Sequence, residues 1–166
     1  MAENPSLLAT STGTTLDLAC FEARGRAYGI DVLQIREIVR CQEVTPLPGA
    51  PALIEGVIDL RGVVIPVIDL AHALFGERTK EGSETRIAVL EVDDMILGLR
   101  VDAAVDVISV AASDVDSPPA LALHAGYEAV RAVVRRSDAS PVLVLSLEHL
   151  LERVYRCALP SEGVEA

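Results

Sequence analysis

The histidines, the cysteines and a carboxylate pair are the residues of this chain whose types could support covalent or metal chemistry. A nucleophile needs a base within hydrogen-bond reach, and a metal site needs ligands at short characteristic spacings. His72, His124 and His149 stand far apart, with no H-E-x-x-H, G-x-S-x-G or phosphate-loop pattern around them. Cys20, Cys41 and Cys157 are odd in number and form no C-x-x-C pair, a usage that fits reduced thiols in a cytosol. Cys41 follows an apolar run and reads as core or edge. Asp93-Asp94 could mimic a paired carboxylate, but it separates two apolar runs, where adjacent aspartates favour a turn. The pattern assigns no catalytic residue, no metal ligand and no cofactor.

The elements that carry these residues are read from composition and periodicity. Of 166 residues 51% are hydrophobic and only 3% aromatic, with no Trp, so the core must be built from Val, Leu, Ile and Ala. Branched aliphatics in that excess favour strands. A net charge of -11 and a pI near 4.6 repel phosphate backbones and anionic lipid, which argues against nucleic acid as a partner. Apolar segments are broken by charges every few residues, so direct membrane insertion is not expected. Residues 1–15 lack a basic signal-like start and read as a flexible tail, and 158–166 as a short C-terminal one.

Between these tails the pattern predicts hairpins. Leu16 to Ala23 and Ala27 to Asp31 flank a turn at Gly25, and Glu55 to Leu60 and Val63 to Asp69 flank one at Gly62. Pro66 suggests an edge or bulge in the second pair. Val32 to Val39 reads as a brief helix running into a strand, and Thr45 to Pro51, with three prolines, as a rigid connector. Leu70 to Phe75 is a short helix capped by Asp69 and stopped by Gly76. Arg86 to Val92, Met95 to Val101 and Asp102 to Val110 read as a three-stranded meander. After a Pro-bearing loop, Ser113 to Pro119, a last hairpin joins Glu128–Arg136 to Pro141–Leu145. Leu147, Leu150, Leu151, Val154 and Tyr155 then share one face of an amphipathic helix capped by Ser146. A weak repeat links Asp69-Leu-Ala-His-Ala-Leu74 to Ser146-Leu-Glu-His-Leu-Leu151, which makes two similar lobes plausible and gives His72 and His149 matching, half-exposed places.

The most informative stretch is Gly56 to Leu70, GVIDLRGVVIPVIDL, taken with Val32 to Ile38, VLQIREI, and Thr45 to Pro48. With Val101-Asp102 closing a later strand, this order of features resembles the CheW family from about Leu16 to Tyr155. The resemblance implies a mostly β fold of two intertwined five-stranded SH3-like barrels over residues 16–157, with short helices and a C-terminal amphipathic helix. It further implies a non-catalytic cytoplasmic adaptor, recruited to receptor arrays. Its partners would be the regulatory domain of a CheA-like histidine kinase and, in a hydrophobic groove between barrels, the cytoplasmic tip of chemoreceptors. By position, Ile35, Glu37, Ile38, Gly56, Arg61 and Val64 would line the contact region, with Gly62 a structural turn residue. Arg61 suits that role, because a guanidinium binds carboxylates bidentately and arginine is enriched among interface hot spots.

Three positions depart from the commonest family pattern: Asp59 where Asn is frequent, Ser146 where Asp is, and Ala129 where Gly is. They leave open whether the output is chemotaxis proper or a related chemosensory array. The alternative from another class is a small-molecule-binding or enzymatic barrel with a pocket between its lobes. A regulatory lobe normally fused to a kinase is a third reading, against which the terminal segments argue.

Overall fold

Three two-residue turns set the strand plan. At Arg24-Gly25, Arg61-Gly62 and Asp93-Asp94 both residues have positive φ, from 52° to 87°, the twist that joins adjacent antiparallel strands without splaying them. The structure, a computed structural model, describes residues 15–118, 129–137 and 139–158. The turns close β1 (Thr15–Ala23) on β2 (Arg26–Asp31), β4 (Ile54–Leu60) on β5 (Val63–Asp69), and β6 (Arg86–Val92) on β7 (Met95–Val101). Asp31 caps one turn of 3-10 helix, Val32–Gln34, by accepting from the Leu33 N–H, and β3 (Ile35–Arg40) follows, as the helix-into-strand reading expects. The remaining strands are β8 (Ala103–Ala111), β9 (Val115–Asp116), β10 (Val130–Val134) and β11 (Val142–Leu145), and the helices are α1 (Leu70–Phe75) and α2 (Leu147–Ala158).

The strands form a five-stranded sheet, β3-β6-β7-β5-β4, and a six-stranded one, β8-β1-β2-β11-β10-β9. The weak repeat in the sequence is the trace of a duplicated topology. In both halves a strand ends parallel to the second strand of a hairpin, β5 on β7 and β11 on β2, and then opens a helix. Asp69 caps α1 by accepting from the His72 N–H at 3.2 Å, and Ser146 caps α2 by accepting from the His149 N–H at 3.3 Å. The hairpins are exchanged: β1–β2, from the first half, lies in the sheet completed by β8 to β11, and β6–β7, from the second, lies among β3 to β5. This is the intertwined pair of barrels.

Several sequence readings need correction. The meander does not form, because β8 leaves β6–β7 and pairs with β1 in the other sheet. Asp102 turns the chain there: its N–H donates to the Glu22 carbonyl at 2.9 Å and its carboxylate accepts from the Arg24 N–H at 2.7 Å. The edge-or-bulge reading of Pro66 holds locally: β5 lies between β4 and β7, but Pro66 itself is paired only with Val57 of β4, and that strand pair carries a register shift between Ile54 and Gly56. The proline is accommodated because β7 joins β5 only from Val67 onward. One sheet has a sixth strand, the two-residue β9. Thr15 belongs to β1 and not to a tail, being paired with Ala111. Pro119, His124, Glu128, Asp138 and the segments 1–14 and 159–166 lie outside the described residues.

The core has three compartments. Leu18, Val134, Val142 and Val144 fill the six-stranded lobe, and Ile58, Ile65, Val67, Ile87 and Val89 fill the five-stranded one. The largest lies between them, where Phe21, Ile30, Leu70, Leu90, Leu99, Leu145, Leu147 and Val154 bring both sheets and both helices together. The alternation that buries Leu147, Leu150 and Val154 along α2 is the amphipathic stripe read from sequence. A charged network anchors the loop after α1. Asp69, fully buried, accepts from Thr79 N and Oγ1, both at 3.0 Å, and from Arg100 Nε at 3.2 Å. Arg78 Nε lies 2.8 Å from Glu55 Oε1, and Glu77 pairs with Arg24 of the β1–β2 turn. A buried carboxylate is tolerable when every lone pair is answered in this way.

The five-stranded lobe closes where the chain beyond β3 meets β4. Thr45 and Val57 exchange two backbone hydrogen bonds of 2.9 Å, so the rigid connector contributes one bridge to the barrel. Gly56 makes the approach possible: a Cβ on it would stand 2.2 Å from the Thr45 carbonyl oxygen, and its φ is 153°. No shift of a flexible side chain relieves a clash with backbone. Gly56→Ala should therefore cost about 3 kcal/mol in urea denaturation, at the upper end for an overpacked site; an unchanged midpoint would show that closure tolerates the methyl group.

Candidate functional site

Strand geometry divides the candidate residues between two faces. Within β3 the exposed residues are Arg36, Ile38 and Arg40, while Ile35, Glu37 and Val39 are half-buried, since successive side chains point to opposite sides. Glu37 and Ile38, adjacent in sequence, thus serve different surfaces. Glu37 accepts a hydrogen bond from Arg61 at the tip of the β4–β5 hairpin, tying one edge of the sheet to the other. The Arg61 side chain remains 68% exposed. Its guanidinium carries five donors, and the bond to Glu37 occupies one nitrogen.

Arg61 occupies a left-handed position, φ 53°, where Asn, Asp or Gly is the usual choice. A residue that opposes local backbone preference is a signal of use rather than of folding. Gly62, at φ 87°, completes the turn, and its N–H donates to Asp59 Oδ1 at 2.8 Å. Val63 and Val64 leave the turn exposed beside Arg61.

On the other side of β3, Ile38 faces β8 across a groove of about 350 Å³. Ala104, Val105, Asp106 and Val107 of β8 form the far wall, with Ala19, Cys20 and Phe21 of β1 behind them. Val105 and Val107 are 55% and 61% exposed and Ile38 42%, an unpartnered apolar surface between the two lobes. Both walls are edge strands, β3 of one sheet and β8 of the other. Burial in the six-stranded lobe raises the Cys20 thiol pKa, outweighing the charge of nearby Arg136, so this thiol is a poor nucleophile. Burial, with Glu81 next, raises the Cys41 thiol as well.

Two residues expected at the contact surface are engaged mainly within the fold. Gly56 is buried under Thr45 and acts by closing the barrel. Ile35 is half-buried and packs against the shared core. Conversely, Val105 and Val107 were not singled out from sequence. Their signal is a strand with apolar residues on both faces, unusual for one that pairs on a single side.

Edge strands that flank an open apolar groove, with a charged hairpin tip on the other side of β3, are the layout of a docking surface rather than of an enclosed reaction chamber. The comparisons agree. Residues 17–154 match the CheW-like domain family, and the chain belongs to it: it is a CheW-family chemosensory adaptor. The chemotaxis protein CheW of Treponema pallidum (strain Nichols) is 38% identical over 138 residues, 80% of each chain. That of Bacillus subtilis (strain 168) is 42% identical over 99 residues, 60% of this chain and 64% of the relative. Protein FrzA of Myxococcus xanthus is 28% identical over 146 residues, 87% of this chain and 91% of the relative. The crystal structure of the scaffolding protein TtCheW from Thermoanaerobacter tengcongensis superposes with a TM-score of 0.73 at 28% identity, over 85% of this chain and 90% of that one.

The three departures from the commonest pattern are absorbed locally. Asp59 answers the Gly62 N–H, Ser146 caps α2, and Ala129 is buried in the shared core. Because Arg61 and Glu37 meet at an exposed site, a double-mutant cycle with Arg61→Ala and Glu37→Ala should give a coupling of ~0.2–1 kcal/mol to folding; a coupling several times larger would make the pair a folding element rather than a surface feature.

Proposed function

We propose that the chain couples the cytoplasmic tip of chemoreceptors to the regulatory domain of a CheA-like histidine kinase, working in the cytoplasm within receptor arrays. The observation that carries this reading is the apolar groove between β3 and β8. A helical hairpin lays an apolar stripe into such a groove, and the side chains that remain exposed in the free protein, Ile38, Val105 and Val107, are the anchors available to it. Arg61, Glu37 and Val64, on the other side of β3 from the groove, offer a separate polar and apolar patch, where a guanidinium with unused donors can meet receptor carboxylates. The kinase domain, barrel against barrel, takes a separate face. Among the described residues no helix is long and apolar enough to cross a membrane, so recruitment to the array rests on these contacts.

Two faces on one rigid core make the protein a coupling element, because a receptor state that binds the groove differently changes the free energy of the whole assembly. Chains with two unlike faces also build open assemblies, in which each weak contact is reinforced by its neighbours.

The test uses a soluble receptor cytoplasmic fragment and a kinase regulatory domain, each titrated against wild-type protein and against Val107→Asp and Arg61→Glu. Both variants should weaken receptor binding at least about tenfold, ~1.4 kcal/mol, while kinase-domain binding and the thermal midpoint stay as in wild type. Unchanged receptor affinity for Val107→Asp would remove the groove from the site, and the same result for Arg61→Glu would reduce Arg61 to a turn residue.

A further inference from the structure

A second cleft, of about 540 Å³, opens at the far end of the β1–β2 hairpin and shares no lining residue with the groove. Arg24, Arg26 and Arg136 surround it, with Glu22 at one side and Pro141 and Leu143 on an apolar floor. Arg26 and Arg136 bring to one cleft two cationic side chains with no carboxylate partner among the described residues, conspicuous in a chain that has 14 Lys and Arg against 25 Asp and Glu, while the Arg24 guanidinium is turned to Glu77. Such a local reversal of sign focuses the field and draws anionic groups that the rest of the surface repels.

Two of the three arginines are held in place. Arg24 sits at φ 55°, a left-handed position again taken by an arginine and not by a preferred turn residue. Its guanidinium lies 5.8 Å from the centroid of the Phe75 ring and pairs with Glu77, so the turn already accepts a carboxylate. Arg136 donates Nε to the Ser140 carbonyl at 2.8 Å, which orients its terminal nitrogens toward other acceptors. Arg26, exposed on the other side of Gly25, has neither kind of tie among the described residues.

From this arrangement we infer that the cleft binds an acidic polypeptide segment of a partner protein, carboxylates spaced along the chain meeting Arg26 and Arg136 while its backbone and small apolar groups rest on Pro141 and Leu143. The geometry favours a chain over a compact anion for two reasons. Glu22 within the lining repels a concentrated negative charge but leaves room for single carboxylates facing the arginines one at a time. The lining also includes Ala27, Pro141 and Leu143, apolar groups against which a chain can rest and from which a small anion would gain nothing. This inference does not depend on the receptor groove.

The probe is a fluorescein-labelled peptide of alternating Glu and Ala, titrated by fluorescence anisotropy against the full chain at low salt, with a Lys-Ala peptide as its charge reversal. Arg26→Glu/Arg136→Glu should weaken the acidic peptide at least tenfold and let the Lys-Ala peptide bind, with an unchanged circular dichroism melt. Wild-type binding should fall steeply as salt is added. Equal weakening by Arg36→Glu/Arg40→Glu, a control pair on β3, would assign the effect to net charge and overturn the inference. So would complete displacement of the peptide by free citrate at matched carboxylate concentration, because the cleft would then be a small-anion site. No measurable affinity of the wild-type chain for the acidic peptide would overturn it outright.

Discussion

The close approach of two backbones at Thr45 and Val57 governs the architecture around the groove. Only a residue without a side chain lets β4 pass beneath the Thr45 carbonyl, and Gly56 is that residue. Closure there fixes the path of the proline-rich connector, which fixes how β3 leaves the sheet as an edge strand. That in turn aims Glu37 at the hairpin tip and Ile38 at the other lobe. A glycine expected to touch a partner therefore has a structural role, through the strand whose two faces it positions.

The exchange of hairpins gives the lobes a common core. Apolar residues from β1, β2, β6, β7, β11 and both helices meet in one compartment, so neither lobe completes its packing alone. The loop after α1 adds polar ties on both sides, with Arg78 and Thr79 bound to the five-stranded lobe and Glu77 to the β1–β2 turn of the other. α2 joins in through Arg153, which donates to the Ala73 carbonyl of α1 at 2.8 Å. Rigid attachment of one barrel to the other is what an adaptor needs, because a contact made on one lobe is otherwise lost in hinge motion before it reaches the second.

Much of this was legible in the chain. Turns were readable because Arg-Gly and Asp-Asp pairs interrupt apolar runs where backbone geometry demands it, and the caps of both helices were readable because Asp69 and Ser146 precede clear apolar periods. The destination of β8 was not. Strand alternation specifies which face is buried but not which sheet receives the strand, and the switch depends on Asp102 reaching Glu22 and Arg24, eighty residues earlier in sequence. The site was half legible for the same reason. Arg61 and Glu37 lie in the motif that carries the family resemblance, whereas Val105 and Val107 become an exposed apolar groove wall only once β8 stands at an edge opposite Ile38.

The exchanged hairpins also impose an order on the protein's manufacture. Among the described strands β1 and β2 leave the ribosome before the others, yet their neighbours β8 and β11 come well after them. Until then the opening hairpin has only its own turn for support, and an isolated two-stranded hairpin is at best marginally stable in water. The six-stranded lobe, which holds the earliest described strands, must thus wait for β8 to β11, and the nascent domain carries an unfinished apolar edge until they emerge.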